Sequence, residues 1–346
     1  MEGEHISLSI NYKMIVRCFT YNQSKYIEET LNGFAIQKTN FPYICLIVDD
    51  ASTDNEQNVI VSWLDKNCQA NSKKITKTEQ ATIIIATSNF NALCTFVVYL
   101  LNENLYRRKK EKLSLIAPWQ QKSQYEAICE GDDYWTNPDK LQKQFDFLES
   151  HLDYGMCYGI AKQYNDKEKK FSFNRGEEYY SFEKLLLRNP IPTLTTCYRT
   201  KMFLEIMQEE WIQNAHWPLG DLPMWLWMAY RTKLYFFPEV FGVYRILETS
   251  AAHNKSIESQ IAFYKAARTC ANEFSRRYLN RELPPFEEHH ERARLYSRKI
   301  HNRKKAFEEY KKIPNKNLKY WILTIVHSNI VTYKISSLYY RLRYQQ

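Results

Sequence analysis

The chain has 346 residues, of which 44% are apolar and 15% aromatic. This content excludes a disordered chain, and the length suits one large domain with an appendage, or two domains. The net charge is +9, and the eight cysteines are scattered with no CxxC pair, several inside apolar runs where thiols behave as small hydrophobes.

Residues 13–19 (KMIVRCF) are apolar and β-branched and predict a buried strand. After TYNQS, residues Tyr26, Ile27, Leu31 and Phe34 recur at helical spacing. Residues 43–48 (YICLIV) predict a second buried strand running into DDASTD, where Thr53 or Asp54 is placed to cap a helix over 55–64. Strand, helix, strand, helix is the pattern of a parallel sheet with right-handed crossovers. Residues 95–101 (TFVVYLL) read as the third sheet strand, and 65–92 as an insertion despite the strand-like TIIIAT at 82–87. Residues 125–129 (YEAIC) predict the next strand, and 137–151 a helix with Pro138 near its start.

Beyond residue 155 the pattern is mixed. A short strand near GMCYG and a helix near 181–188 precede a strand at 193–199 and a helix at 201–210. A helix at 220–231 enters through Asp221 and Pro223, and two strands over 233–245 are broken at Pro238. From 256 onward the pattern is helical and basic, with a break at ELPPF. Residues 255–346 carry 20 Lys/Arg against 8 Glu, which leaves 28 basic and 31 acidic residues in 1–254. Such a tail points either to an anionic surface, such as a membrane, or to a solvated face. No nucleic-acid motif accompanies it, so nucleic acid is not expected as a partner. The apolar stretch 321–331 is too short to span a bilayer. No positive segment followed by an apolar one opens the chain, and the scattered thiols suit a reducing compartment, so a cytoplasmic address is expected.

Ligands of open α/β sheets sit beyond the carboxyl ends of the strands. Three polar clusters fall there: Thr20 to Asn22, Asp49–Asp50, and Glu130 to Asp133. Successive side chains at a strand end diverge, so Asp132 and Asp133 serve different partners. One suits a ribose hydroxyl or nucleotide, and the other a hard cation such as Mg2+ or Mn2+ beside phosphate oxygens. A P-loop is absent from the sequence. Asp221, ahead of Pro223, suits either a helix cap or a catalytic carboxylate. Trp217, Trp225 and Trp227 read as core.

The blocks MIVRCFTYNQSKYIEETL, LIVDDASTD and AICEGDDYWTNPDKLQKQFDFLE resemble the family 2 inverting glycosyltransferases of bacterial polysaccharide synthesis, and residues 216–253 resemble the acceptor half of the same family. The resemblance implies a GT-A fold, a Rossmann-like mixed α/β sheet, over residues 1–255, with a C-terminal helical extension over 256–346. Residues 1–135 would mainly bind the nucleotide sugar and 136–255 the acceptor. It implies that Phe19, Tyr21 and Asp50 hold the nucleotide, that Asp132 lies by the sugar and ribose, and that Asp133 and His253 bind a divalent metal. Asp221 would be the catalytic base and Trp135 a platform for an acceptor sugar. Gly220 stands where many relatives carry a second acidic residue. The expected activity is transfer of a sugar from a nucleotide-diphosphate donor, a UDP-sugar, to a hydroxyl of a glycan or lipid-linked glycan. The rival readings are a sugar nucleotidyltransferase and a non-catalytic nucleotide-sugar or glycan binder.

Overall fold

The computed structural model describes residues 12–106, 108, 112–179, 181–247, 256–298, 300–314 and 316–335. In chain order these form β1 (Met14–Thr20), α1 (Ile27–Ala35), β2 (Tyr43–Asp49), α2 (Glu56–Asn67), β3 (Lys74–Lys77), β4 (Ala81–Thr87), β5 (Cys94–Leu101), α3 (Leu113–Gln120), β6 (Tyr125–Ile128) and β7 (Tyr134–Trp135). There follow α4 (Lys140–Ser150), β8 (Tyr154–Asn165), β9 (Lys170–Arg175), α5 (Phe182–Leu187), β10 (Cys197–Arg199), α6 (Thr200–Ile206), α7 (Glu210–Gln213), α8 (Leu222–Arg231) and β11 (Lys233–Ile246). Four helices close the described chain: α9 (Ile257–Leu279), α10 (Glu288–Arg298), α11 (Arg303–Lys312) and α12 (Leu318–Ser328).

All strands join one sheet in the order β3-β4-β5-β2-β1-β6-β10-β8-β11-β7, with β9 on β8. Strands β5, β2, β1 and β6 run parallel, whereas β4 and β10 enter antiparallel to them. The mixed α/β class with a C-terminal helical extension is thus what the chain adopts. Strands β1 and β2 are almost wholly buried, as continuous apolar runs in a parallel sheet require. Their two faces feed separate clusters. Met14, Val16, Cys18, Cys45 and Ile47 pack under α1 and α2. Ile15, Ile44, Leu46 and Val48 pack on the opposite side with Trp119 of α3.

The structure corrects the reading of 65–92 as an insertion. Residues 81–87 form β4, paired along its whole length with β5. The run Ile83, Ile84, Ile85 is buried because β4 is a sheet strand and not a loop. Pro238 does not split 233–245: β11 is one strand whose register on β8 shifts between Phe236 and Val240, the irregularity that a missing N–H imposes. Residues 193–195 form a 3-10 turn, and only 197–199 a strand. Neither Thr53 nor Asp54 is the cap residue of α2, since Asn55 holds that place in a left-handed conformation (φ 74°). Asp54 still accepts from the Glu56 amide at 3.2 Å.

Helix α9 is integral to the body. Its Cys270, Ala271 and Phe274 are buried in one cluster with Tyr158, Tyr198 and Trp225. Helices α10 to α12 form a smaller cluster of their own around Ala293, Ala306, Tyr310 and Ile313. No helix among the described residues is long and apolar enough to cross a membrane.

Candidate active site

The parallel strands β2, β1 and β6 deliver the three predicted polar clusters to one end of the sheet. Asp49 lies opposite Thr20 in the register of β1 and β2, and Cys129 donates its amide to the Arg17 carbonyl (3.1 Å) just before the third cluster. The loops beyond the strands are laced together. The Asp50 amide donates to the Thr20 carbonyl (3.0 Å), and the Asn22 amide to Ser52 Oγ (2.9 Å). Asn22 and Ala51 both hold positive φ, which turns each loop back on its strand. Gly131 is fixed by contact: a Cβ there would lie 2.1 Å from Thr20 Oγ1. Thr30 Oγ1 on α1 donates to the carbonyls of Gly131 (2.9 Å) and Asp133 (2.6 Å), pinning the turn that carries the aspartates.

A cavity of about 540 Å³ opens beside these loops. Its polar wall holds Arg17, Glu130, Thr193 and Asp221, with Phe19 at the strand end. Its remaining wall is mostly apolar and includes Phe203, Ile206, Met207, Trp217 and Met224. Asp221 caps α8, accepting from the Leu222 amide through Oδ1 (2.8 Å), and accepts from the Thr193 hydroxyl through Oδ2 (3.0 Å). It is therefore both a helix cap and a cavity carboxylate.

Glu130 links the two carboxylate groups. Burial first, then repulsion from Asp132 and Asp221, pushes its carboxyl up to about 7. Burial raises Asp132 above the usual carboxylate range, and burial with repulsion from Asp132 and Glu130 raises Asp133 well above it. Such crowding of raised carboxyls is the electrostatic mark of a functional site. Asp132 is half-buried and Asp133 is 3% exposed. Asp133 Oδ1 accepts from the Arg245 amide (2.8 Å), while the Arg245 guanidinium donates to the Asp132 carbonyl (2.5 Å) and pairs with Glu29. Among the described residues, no three His, Cys, Asp or Glu side chains form a ready-made metal cage. An all-oxygen set with one or two carboxylates suits a hard cation that takes its other ligands from phosphate and water.

The sequence-predicted residues divide. Phe19, Glu130 and Asp221 meet at the cavity, with Asp132 and Asp133 adjoining through Glu130. Tyr21 is half-buried in the loop after β1. Asp50 is 1% exposed, and its carboxylate accepts from the Leu105 amide (2.7 Å), the Tyr106 amide (3.3 Å) and Lys112 Nζ (3.1 Å). It therefore anchors the loop after β5. Its neighbour Asp49 is 0% exposed, and its Oδ2 is a buried oxygen with no hydrogen-bond partner. Trp135 is a correction. It is 1% exposed, packs edge-on to Phe34 (4.9 Å), has Lys140 Nζ 4.0 Å from its ring and donates to the Leu194 carbonyl (2.6 Å). No face of it is open to a sugar. Trp217, read as core, packs half-buried against the cluster of Trp225 and Phe274 and also lines the cavity. His253 lies outside the described residues. Glu130 was legible as part of a cluster, but its position between two carboxylate groups was not.

None of the known families described by sequence profiles matches the chain. It is similar to uncharacterized proteins of Mycobacterium bovis and Mycobacterium tuberculosis, each 28% identical over 240 residues, or 67% of this chain. The chain spans 58% of the length of these relatives. Among solved structures, S. aureus TarS in complex with UDP shares 17% identity and a TM-score of 0.47 over 90% of this chain and 78% of that one. The mannosyltransferase PcManGT from Pyrobaculum calidifontis, in complex with GDP-Man and Mn2+, shares 13% identity and a TM-score of 0.43 over 95% and 88%.

Proposed function

We propose that this protein is a glycosyltransferase that moves a sugar from a nucleotide-diphosphate donor, a UDP-sugar, to a hydroxyl of a glycan or lipid-linked glycan, with inversion. The carrying observation is the convergence of Glu130, Asp221 and the strand-end residue Phe19 on one cavity beside Asp132 and Asp133. An inverting transfer needs a base on one side of the reacting carbon and a way to stabilise departing diphosphate on the other. Asp221 takes the acceptor proton. It is oriented by the Leu222 amide and the Thr193 hydroxyl, and each carboxylate oxygen keeps a further lone pair.

Asp133, with His253, would hold a divalent cation, Mg2+ or Mn2+, while Asp132 would lie by the sugar and ribose. When bound, the cation supplies neutralisation of the leaving diphosphate. Arg245 fixes the backbone on which both aspartates stand. Phe19 and Tyr21 flank the nucleotide base, and Asp50, which holds the loop after β5, borders it. Trp217 takes the acceptor-platform role first expected of Trp135. The deep basic pocket and glycine-rich turn of a nucleotidyltransferase are not suggested by FTYNQS.

The test pairs binding with turnover. Nucleotide sugars, screened with and without Mn2+, raise the thermal midpoint if the donor site is real. Asp221→Asn keeps that donor-induced shift but loses about 10²–10⁴-fold in transfer rate. Near-normal transfer by the variant removes Asp221 as the base. Absence of any donor-induced shift across the screen removes the transferase reading.

A further inference from the structure

Helix α12 has two hydrophobic faces, and only one of them is packed. Thr324 and His327 are buried, and Tyr320 and Leu323 pack on the cluster built by Ala293, Ala306, Tyr310 and Ile313. His327 Nε2 lies 3.2 Å from Ser297 Oγ, which ties this inner face to α10. Helical spacing sends Leu318, Trp321, Ile322 and Ile325 to the opposite side. Those four are 75%, 55%, 51% and 60% exposed. Residues 330–335 are again helical and add exposed Ile330, Val331 and Ile335. Single exposed apolar side chains need no explanation, but four on one face of α12 and three more just after it concentrate apolar surface of the kind that marks a contact.

The charge around the patch indicates what it contacts. Residues 303–334 carry eight Lys/Arg against two acids, Glu308 and Glu309. Lys316 Nζ lies 5.5 Å from the Trp321 ring and caps the carbonyls of Lys311 (2.9 Å) and Ile313 (3.0 Å), and Lys319 opens α12. A tryptophan at the margin of an apolar stripe, with lysine heads beside it, is the composition of a helix lying in the plane of a membrane interface. Its eleven residues reach only about 16 Å, far less than a span. A two-fold contact with a second copy through this face would set lysines against lysines.

We propose that α12 and the helical residues after it dock this protein on an anionic lipid bilayer, apolar stripe inward and lysines at headgroup level. The full chain is tested by flotation with vesicles of phosphatidylcholine alone or mixed with phosphatidylglycerol. Wild type floats with the mixed vesicles, less so as salt rises. Trp321→Glu/Ile325→Glu lowers partitioning at least tenfold by removing apolar burial and adding like charge. Lys316→Gln/Lys319→Gln lowers it about fivefold per lysine on mixed vesicles, the effect of about 1 kcal/mol per charge, and leaves binding to phosphatidylcholine alone unchanged. Both variants alter exposed or half-buried side chains, so an unchanged circular dichroism spectrum identifies them as folded, and the lysine variant tests the idea should the glutamate variant unfold. The proposal is overturned by wild type that stays with the soluble fraction, by equal flotation of the glutamate variant, or by a dimer in gel filtration that this variant dissociates without any vesicle binding.

Discussion

Glu126 and Glu130 stand four residues apart, one inside β6 and one just past its end, and the protein treats their charges in opposite ways. Glu126 is fully buried and accepts from Arg17 Nε (2.6 Å), the Tyr198 hydroxyl (2.6 Å) and Gln120 Nε2 (2.7 Å). Its desolvation is offset by a paired cation and two fixed donors. Glu130 has Asp132 and Asp221 as its electrostatic neighbours, and its carboxyl rises to about 7. Arg17 acts on both but is bonded to the first. The satisfied cluster knits β1, β6 and β10, and the frustrated one faces a cavity. Stored repulsion of this kind is what a site retains when a ligand or cation is meant to relieve it.

Breaking the satisfied cluster gives the largest effect. Glu126→Gln leaves the Arg17 guanidinium buried without its counter-charge, and about 3–5 kcal/mol of stability is lost, read by urea unfolding. A loss below about 1 kcal/mol would mean that the cluster relaxes into solvent through the cavity that Arg17 also lines.

Lys140 extends the comparison to a buried cation. It is 0% exposed, donates to Gln144 Oε1 (2.7 Å) and lies 4.0 Å from the Trp135 ring, with no carboxylate partner among the described residues. Burial lowers it to about 8 from 10.5. Stability linked to Lys140 is therefore present above pH 10.5 and lost as pH falls through about 8. Relative to Lys140→Met, wild type gains on the order of 2–3 kcal/mol between pH 8 and 10.5. Buried thiols such as Cys129 and Cys157 titrate with the opposite sign, and because the Lys140 charge acts to lower both, the difference reports the lysine together with its effect on them. A difference independent of pH would show that Lys140 stays charged when folded.

The sheet and the placement of the polar clusters were readable because buried parallel strands are continuous apolar runs and strand exits are polar. What escaped depended on neighbours distant in sequence. The strand character of 82–87 was visible, but its place in the sheet is decided by pairing with β5. Trp135 follows the aspartates and so reads as a site residue. Its pairing partner Gly242 is 107 positions away, and that pairing turns the ring into the core. Which of Asp49 and Asp50 keeps a free oxygen depends on amides of the loop after β5 and on Gln57 of α2. Periodicity does not encode those contacts. The outer face of α12 was visible only as an apolar stretch, since two apolar faces read alike until one is seen to be packed.

Glu130→Gln tests the frustrated side and has the smallest expected effect on stability. A carboxyl raised to about 7 holds its proton in the folded state where the unfolded chain, at about 4.5, has lost it. Its linked stability is full below pH 4.5 and lost as pH rises through 7. Glutamine imitates the protonated form and carries no such loss. The variant should therefore be more stable than wild type at pH 8, by at most about 1 kcal/mol once solvent screening of a half-buried group is allowed for, with the gap closing towards pH 4.5 in thermal unfolding. Transfer should fall at the same time, because a carboxyl that ionises near neutral pH can accept from or donate to a sugar hydroxyl and the amide cannot change between the two. A stabler but slower enzyme is the outcome expected when repulsion is kept for function. A variant that is slower without being stabler at pH 8 would mean that the crowding is already relieved in the free protein. The contrast between Glu126 and Glu130 would then be one of packing and not of charge.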